Sequence, residues 1–279
     1  MFLKILEKIC DNKSLFSYAI KKLIRNLPFI KSKTLVTLNA TERPHYAYCI
    51  YNAAILAKKL GYKSFSIIEF GVAGGNGIYF LEKFCKKVKL ELNIEIEIYG
   101  FDLKDGLSNP KDYKDLAYWF HSGFYSMNEP KLKNILNNAK LILGDVKDTV
   151  KKFFNDYNPA PIGVILNDLD YYSSTIDSFD IFNDIDSKYL PRIFCYFDDI
   201  IGTENEMYNI FTGELLAIDE FNKKNESKKI ALNQNLVAKS NESWRYQIYY
   251  YHNFTHPKYN TFIHENEQIN LNKQLMLKK

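Results

Sequence analysis

Ile67-Ile68-Glu69-Phe70-Gly71-Val72-Ala73-Gly74-Gly75-Asn76-Gly77 is an apolar run that breaks into a glycine-rich turn and then gives way to the helical pattern of 78–88. An apolar run closed by glycines reads as a buried strand feeding a helix. Glycines at such a turn let the backbone approach a ligand, and the helix start offers free N–H donors. The dinucleotide fingerprint G-x-G-x-x-G does not fit. Counted from Gly75 it needs a glycine at Phe80, and counted from Gly71 it needs one at Ala73. Glu69, inside the strand just ahead of the turn, is also foreign to a nicotinamide site. A turn that only starts a helix is the alternative, and this density of glycine weighs against it.

Working outward, the run 66–70 is the first of several strands. Residues 94–101 alternate into a second, ending at Asp102, and 141–143 form a short third ending at Gly144-Asp145. The runs 161–166 and 193–197 follow, and 244–251, rich in aromatics, reads as a last strand. Helices are expected at 44–60, 78–88, from 149 to 154 and at 210–221. In the first of these Tyr46, Ile50, Ala53, Ala54 and Ala57 share a face and Gly61 stops the helix. Strands alternating with helices predict a doubly wound α/β sheet with helices on both faces.

Two of these strands end in paired acids: Asn167-Asp168-Leu169-Asp170-Tyr171-Tyr172-Ser173-Ser174-Thr175, and Phe197-Asp198-Asp199. Carboxylates at such strand ends converge on the crevice where open α/β sheets bind ligands. Brought together they repel, which makes sense if a hard divalent cation sits among them or one serves as a base. Helix capping is the bland alternative, with Asp168 or Asp170 capping the helix of Ile176 and Phe179, and Asp199 a turn. Capping explains one acid per strand and not two.

The ordered motifs resemble a known family. Glu69-x-Gly71-x-x-Gly74-Gly75-x-Gly77 resembles the first motif of class I S-adenosyl-L-methionine (SAM)-dependent methyltransferases, whose fold is a Rossmann-like α/β sheet. The segment from Asp168 to Thr175 is similar to the D-x-D-x-Y-x-S-T segment of macrocin-type sugar O-methyltransferases, a branch of that class. Phe197-Asp198-Asp199 is similar to the branch's second acidic motif, and Ala217-Ile218-Asp219-Glu220-Phe221 to the helix after it. The likeness spans roughly residues 60–222. It implies that SAM lies with its amino-acid end over the turn, held by Glu69, Gly71 and Gly75, and with its ribose on Asp102. Asp145 would accept the adenine amine, with Asp148 as a competitor. Asp168, Asp198 and Asp199 would hold magnesium, and Asp170 would be the general base.

The chemistry agrees with that division. A carboxylate accepts from both ribose hydroxyls. Magnesium prefers oxygen ligands and keeps waters, so two or three carboxylates leave room for an acceptor. A sugar hydroxyl needs deprotonation, whereas the sulfonium donor is already activated. The resemblance thus implies a Mg2+-assisted O-methyltransferase acting on a sugar hydroxyl, of a nucleotide-linked sugar or a surface-glycan precursor. Three other readings stand beside it: a catechol-like or phosphorylated acceptor, an inactive cofactor-binding regulatory module, and an NAD-linked sugar dehydrogenase, the last disfavoured by the failed fingerprint.

Outside this core, 1–60 reads as an N-terminal helical extension or lid, 61–252 as the SAM-binding core and 253–279 as a tail. Residues 103–138 form a long aromatic insertion, of the kind that serves as a lid or acceptor loop. The insertion and the N-terminal segment depart from the family. Residues 1–33 carry eight Lys/Arg against two Asp/Glu. Their spacing predicts two amphipathic helices ending near Pro28, either a lid packed on the core or a weak membrane-surface contact. Arg43-Pro44-His45-Tyr46 stands out just before the core helix, with a pocket role and a packing role both open.

The formal charge of +4 over 279 residues makes no case for nucleic-acid binding. Cys10, Cys49, Cys85 and Cys195 are scattered, which argues against zinc or disulfides and for a cytoplasmic protein. No apolar run approaches a transmembrane span, and a signal peptide is not expected. The histidines lack metal-ligand spacing; His252 and His256 are candidates for the acceptor site. Tyr171, Tyr172, Trp119 and Trp244 are candidates to stack on a sugar. A homo-oligomer is left open.

Overall fold

Where both faces of a strand are covered, its residues are apolar in succession, and this is how the central strands are built. The computed structural model describes residues 14–239 and 242–264, with Leu6, Cys10, Gln274 and Leu275 besides. Its strands are β1 (Ser64–Phe70), β2 (Glu95–Asp102), β3 (Lys140–Leu143), β4 (Ile162–Asn167), β5 (Tyr189–Phe197), β6 (Lys228–Leu232) and β7 (Ile248–Asn253). They form one sheet in the order β3-β2-β1-β4-β5-β7-β6. The first five are parallel, and β7 runs antiparallel to both β5 and β6. Strand order reverses between β1 and β4. That switch point is where an open sheet leaves a crevice beyond its carboxyl ends.

The helices are α1 (Leu15–Asn26), α2 (Ser32–Thr37), α3 (Pro44–Lys59), α4 (Asn76–Leu92), α5 (Glu129–Ile135), α6 (Val146–Tyr157), α7 (Tyr172–Ser178), α8 (Gly213–Lys224) and α9 (Gln234–Val237). Side-chain alternation along β1 divides the core. Phe65 and Ile67 join a cluster with Ile50 and Ala54 of α3 and Leu81 of α4. Ile68 and Phe70 join the opposite cluster, with Phe153 of α6 and Ile218 of α8. Each face buries one apolar layer of the sheet, the doubly wound arrangement that the sequence predicts.

Several elements differ from the sequence reading, among them the unexpected short helices Glu129–Ile135 and Gln234–Val237. β7 begins at Ile248 because residues Ser243–Gln247 coil into a 3-10 turn with Trp244 buried. β5 begins at Tyr189, and Pro191 falls where its register against β4 shifts, from Ile162↔Tyr189 to Val164↔Phe194. Proline is tolerated at such an irregularity. β6 was not expected: Lys228-Lys229-Ile230-Ala231-Leu232 is short and basic, as suits the edge strand that it is. α2 was not expected either. At the N-terminus α1 is capped by Ser14, whose hydroxyl accepts from Ser17 N at 3.1 Å, and it ends before Pro28. Most of the first amphipathic helix expected there, and residues 265–273 and 276–279 of the tail, lie outside the described residues. No described helix is long and apolar enough to cross a membrane.

Candidate functional site

The glycine turn between β1 and α4 is held open from three sides. Gly71 has φ +83°, and a Cβ there would lie 1.7 Å from the carbonyl oxygen of Asp168. The ends of β1 and β4 therefore meet backbone to backbone. Asp102, at the end of β2, braces the turn: its Oδ2 accepts from Val72 N at 2.9 Å and Ala73 N at 2.8 Å. Its Oδ1 accepts from Lys104 N at 2.5 Å. Gly75, at φ +84°, precedes α4, and a Cβ there would meet Leu132 Cδ1 of α5 at 2.3 Å.

Glu69 lies beneath the turn. It is 1% exposed, and its Oε1 accepts from the Tyr46 hydroxyl at 2.8 Å. A Cβ on Gly77 would sit 1.9 Å from that oxygen, so the helix start closes directly over the carboxyl group. Oε2 has no hydrogen-bond partner among the described residues. Burial raises the Glu69 pKa from 4.5 to about 7, against the lowering effects of the Tyr46 hydrogen bond and Arg43. The fold thus favours the neutral acid. That contribution to stability is fully present below pH 4.5 and is lost as pH rises through about 7. Glu69→Gln, fixed in the neutral state, is expected to gain on the wild type by on the order of 3 kcal/mol between about pH 4 and pH 8 in urea unfolding. Parallel profiles for the two proteins would refute the assignment.

Asp168 follows β4, and Asp198 and Asp199 follow the neighbouring β5, so the parallel pairing brings the acids together. One carboxylate oxygen from each of these three lies within 4.8 Å of the others. Asp170 reaches the same place through a left-handed backbone, φ +60°, which Asp tolerates better than most residues. Its N–H donates to Asp199 Oδ2 at 3.0 Å. Asp199 Oδ1 accepts from the Tyr208 hydroxyl at 3.0 Å, and Asp198 Oδ1 accepts from the Tyr196 hydroxyl. Glu214, wholly buried on α8, accepts from Asp199 N at 2.9 Å. Burial and then mutual repulsion hold the Asp168 and Asp170 carboxyls well above the usual range, and the same causes raise Asp199 to about 7. None of the four caps a helix: α7 starts at Tyr172 without a side-chain cap from them. Asp115, from the insertion, serves instead, its carboxylate accepting from Ser173 N at 2.8 Å and Ser173 Oγ at 3.0 Å.

One cavity of about 390 Å³ connects the turn to the acids. Gly71, Asp102 and Asp145 line it together with Asp168, Asp170, Asp198 and Asp199. Asp145 also caps α6, accepting from Lys147 N at 2.9 Å. Asp148 does not line the cavity. Glu69 and Gly75 do not line it either; one lies under the turn and the other behind Leu132. The insertion forms the roof, with Trp119, Phe120, Phe124 and Tyr125 facing the cavity. Tyr171 lines it, whereas Tyr172 donates to Glu220 at 2.5 Å and Trp244 is buried beside Tyr48. His252 and His256 are outside it: His252 pairs with the Tyr259 hydroxyl at 2.8 Å, and His256 Nδ1 accepts from Lys258 N at 2.9 Å.

Sequence reasoning missed Tyr196, Glu206, Tyr208 and Glu214. Tyr196 was within reach, two residues before Asp198 on the same strand face. The others come from a loop and a helix whose approach no local pattern announces.

No protein-family model and no curated protein matches the chain. Among solved structures, the O-methyltransferase NovP aligns over 90% of this chain and 97% of its own, at 12% identity and a TM-score of 0.52. CalS11, a calicheamicin methyltransferase, aligns over 76% of this chain and 86% of its own, at 17% identity and a TM-score of 0.48. An O-methyltransferase from Bacillus cereus in complex with SAH aligns over 84% and 96%, at 12% identity and a TM-score of 0.40. The α/β Rossmann-like sheet is thus a fold that this chain shares with NovP.

Proposed function

We propose that the chain is a SAM-dependent O-methyltransferase that transfers a methyl group to a sugar hydroxyl with the help of a divalent cation, magnesium by preference. The observation that carries this reading is the single cavity joining the glycine turn, Asp102 and Asp145 to the four acids. A methyl donor on the turn, Asp102 and Asp145 would share this cavity with an acceptor beside the acids. The matched NovP is itself an O-methyltransferase, which agrees with the proposed chemistry.

The donor set fits a hard dication. Asp168, Asp198 and Asp199 offer only oxygen, within 4.8 Å of one another, and the repulsion among four acids in one cavity is relieved by protons or by a bound dication. When bound, the ion would lower the pKa of an acceptor hydroxyl. Asp170 would take the proton at its carboxylate. Its N–H bond to Asp199 and its fixed backbone aim it into the cavity beside the three ligands. Asp102 would turn from bracing the turn to sharing the ribose hydroxyls. Trp119, Phe124 and Tyr125 would lie against the apolar face of the sugar and exclude water.

The test is transfer of label from methyl-labelled SAM to a panel of nucleotide sugars, simple glycosides and catechols. Transfer to a sugar is expected, lost after EDTA treatment and restored by Mg2+. Undiminished activity of the metal-free protein would remove the metal. Thermal stabilisation by NAD and not by S-adenosylhomocysteine (SAH) would remove the methyltransferase reading. The aromatic roof also favours a flat diol, so methylation of the catechols alone would move the acceptor class and leave the site assignments intact.

A further inference from the structure

Arg43-Pro44-His45-Tyr46 lies behind the cavity and does not line it. Pro44 opens α3, its missing N–H costing nothing in the first turn. Two chains of contact leave this point. The Tyr46 hydroxyl donates to Glu69 at 2.8 Å, and Glu69 abuts Gly77 under the glycine turn. The His45 ring stacks on Tyr196 with centroids 4.5 Å apart and planes 24° from parallel. The Tyr196 hydroxyl in turn donates to Asp198 Oδ1. The two chains also touch each other: Tyr46 meets His45 edge-on at 4.8 Å and Tyr196 at 5.7 Å. Arg43 closes the group from above, its guanidinium 5.0 Å from the Tyr46 ring centre. Burial and the neighbouring Arg43 lower the His45 pKa to about 3, so His45 meets Tyr196 as a neutral flat ring.

We infer that this segment positions both halves of the site from behind, Tyr46 setting the cofactor turn through Glu69, and His45 setting the Asp198 carboxylate through Tyr196. The inference rests on the divalent-cation reading of Asp168, Asp198 and Asp199. A carboxylate free to rotate must be ordered when it takes an ion. A carboxylate already held by a phenol at one oxygen presents the other in place. Removal of such outer partners weakens metal binding by about 10–100-fold in known sites. His45 and Tyr196 are positioning residues, since neither reaches the cavity.

The experiment measures Mn2+ and SAH binding separately, by calorimetry on the full chain, with thermal unfolding as a check. Tyr196→Phe is expected to weaken Mn2+ about tenfold and leave SAH unchanged. His45→Ala should move Mn2+ in the same direction, and His45→Phe, which keeps the stacked ring, should restore it. Tyr46→Phe should do the reverse, weakening SAH about fivefold with Mn2+ unchanged. If Asp198→Asn abolishes Mn2+ binding while Tyr196→Phe binds like the wild type, the positioning role is overturned and the metal site stands. If the wild type binds no Mn2+, the metal reading itself falls. Equal loss of both ligands in Tyr196→Phe, together with a lower Tm, would show a merely structural role and also overturn the inference.

Discussion

Asp170→Asn is expected to lower kcat by about 10²–10⁴-fold while leaving SAH affinity unchanged. The substitution isolates the proton-accepting role. Asn is the side chain other than Gly that best tolerates the left-handed φ of +60° found here, so the backbone bond to Asp199 is kept. Volume and burial are also kept. What is lost is an oxygen able to take a proton. Asp170→Ala would be a poorer test, because strain and an emptied polar site would be mixed with the chemistry. Single-turnover transfer of labelled methyl, with SAH binding measured alongside, decides the matter. A variant with full activity would pass the role of base to another group.

The second large effect is expected at Gly71. Its substitution by Ala places a methyl 1.7 Å from the Asp168 carbonyl oxygen, at a φ of +83° that already disfavours any side chain. Backbone on both sides leaves nothing flexible to give way. Left-handed strain and overpacking together cost about 2–5 kcal/mol, a fall in Tm of roughly 5–15 °C for a domain of this size. Because the same contact fixes Asp168, SAH and Mn2+ binding should fail together. Gly74→Ala is the control from the same turn: a Cβ there meets nothing within 4 Å, and near-wild-type stability is expected. Equal damage at both positions would show that the turn's glycines matter through chain flexibility and not through this contact.

The difference between those two glycines was not legible in the sequence, where both belong to one motif. What was legible follows from local pattern. β4 is buried on both faces and reads as a nearly continuous apolar run, and β1 does so apart from its two serines and Glu69. Because β4 and β5 are parallel neighbours, acids placed just after each must end side by side, and Asp168, Asp198 and Asp199 do. The insertion 103–138 announced itself by length and aromatic content, and it forms the roof. Packing decided the rest. Glu69 was read as a residue facing the cofactor, and its strand position was right. Only the closure of Gly77 over it shows that the carboxyl lies beneath the turn. Leu132 covers Gly75 from more than fifty residues downstream in sequence, a contact that no spacing rule could supply. β6 escaped because an edge strand with a single partner needs no continuous apolar run.

Asp115 ties the roof to the floor. It is wholly buried, and both of its oxygens are engaged, with Ser173 and with Lys111 N at 2.8 Å. Charge-assisted bonds of this kind are the strong ones. Residues around 111–116 are therefore moored to the helix that follows Asp170, and they cannot swing without dragging the acids with them. The stretch beyond the mooring, which carries Trp119, Phe124 and Tyr125, is attached as well: Tyr118 donates to the Glu206 carbonyl at 2.7 Å, Leu107 N to the Phe124 carbonyl at 2.9 Å and Gly123 N to the Leu107 carbonyl at 2.8 Å, and Phe120 packs buried against Tyr171. The insertion is thus pinned to the start of that helix twice, by Asp115 on Ser173 and by the buried Phe120 against Tyr171, so the aromatic face over the cavity and the acids beside it share one anchor.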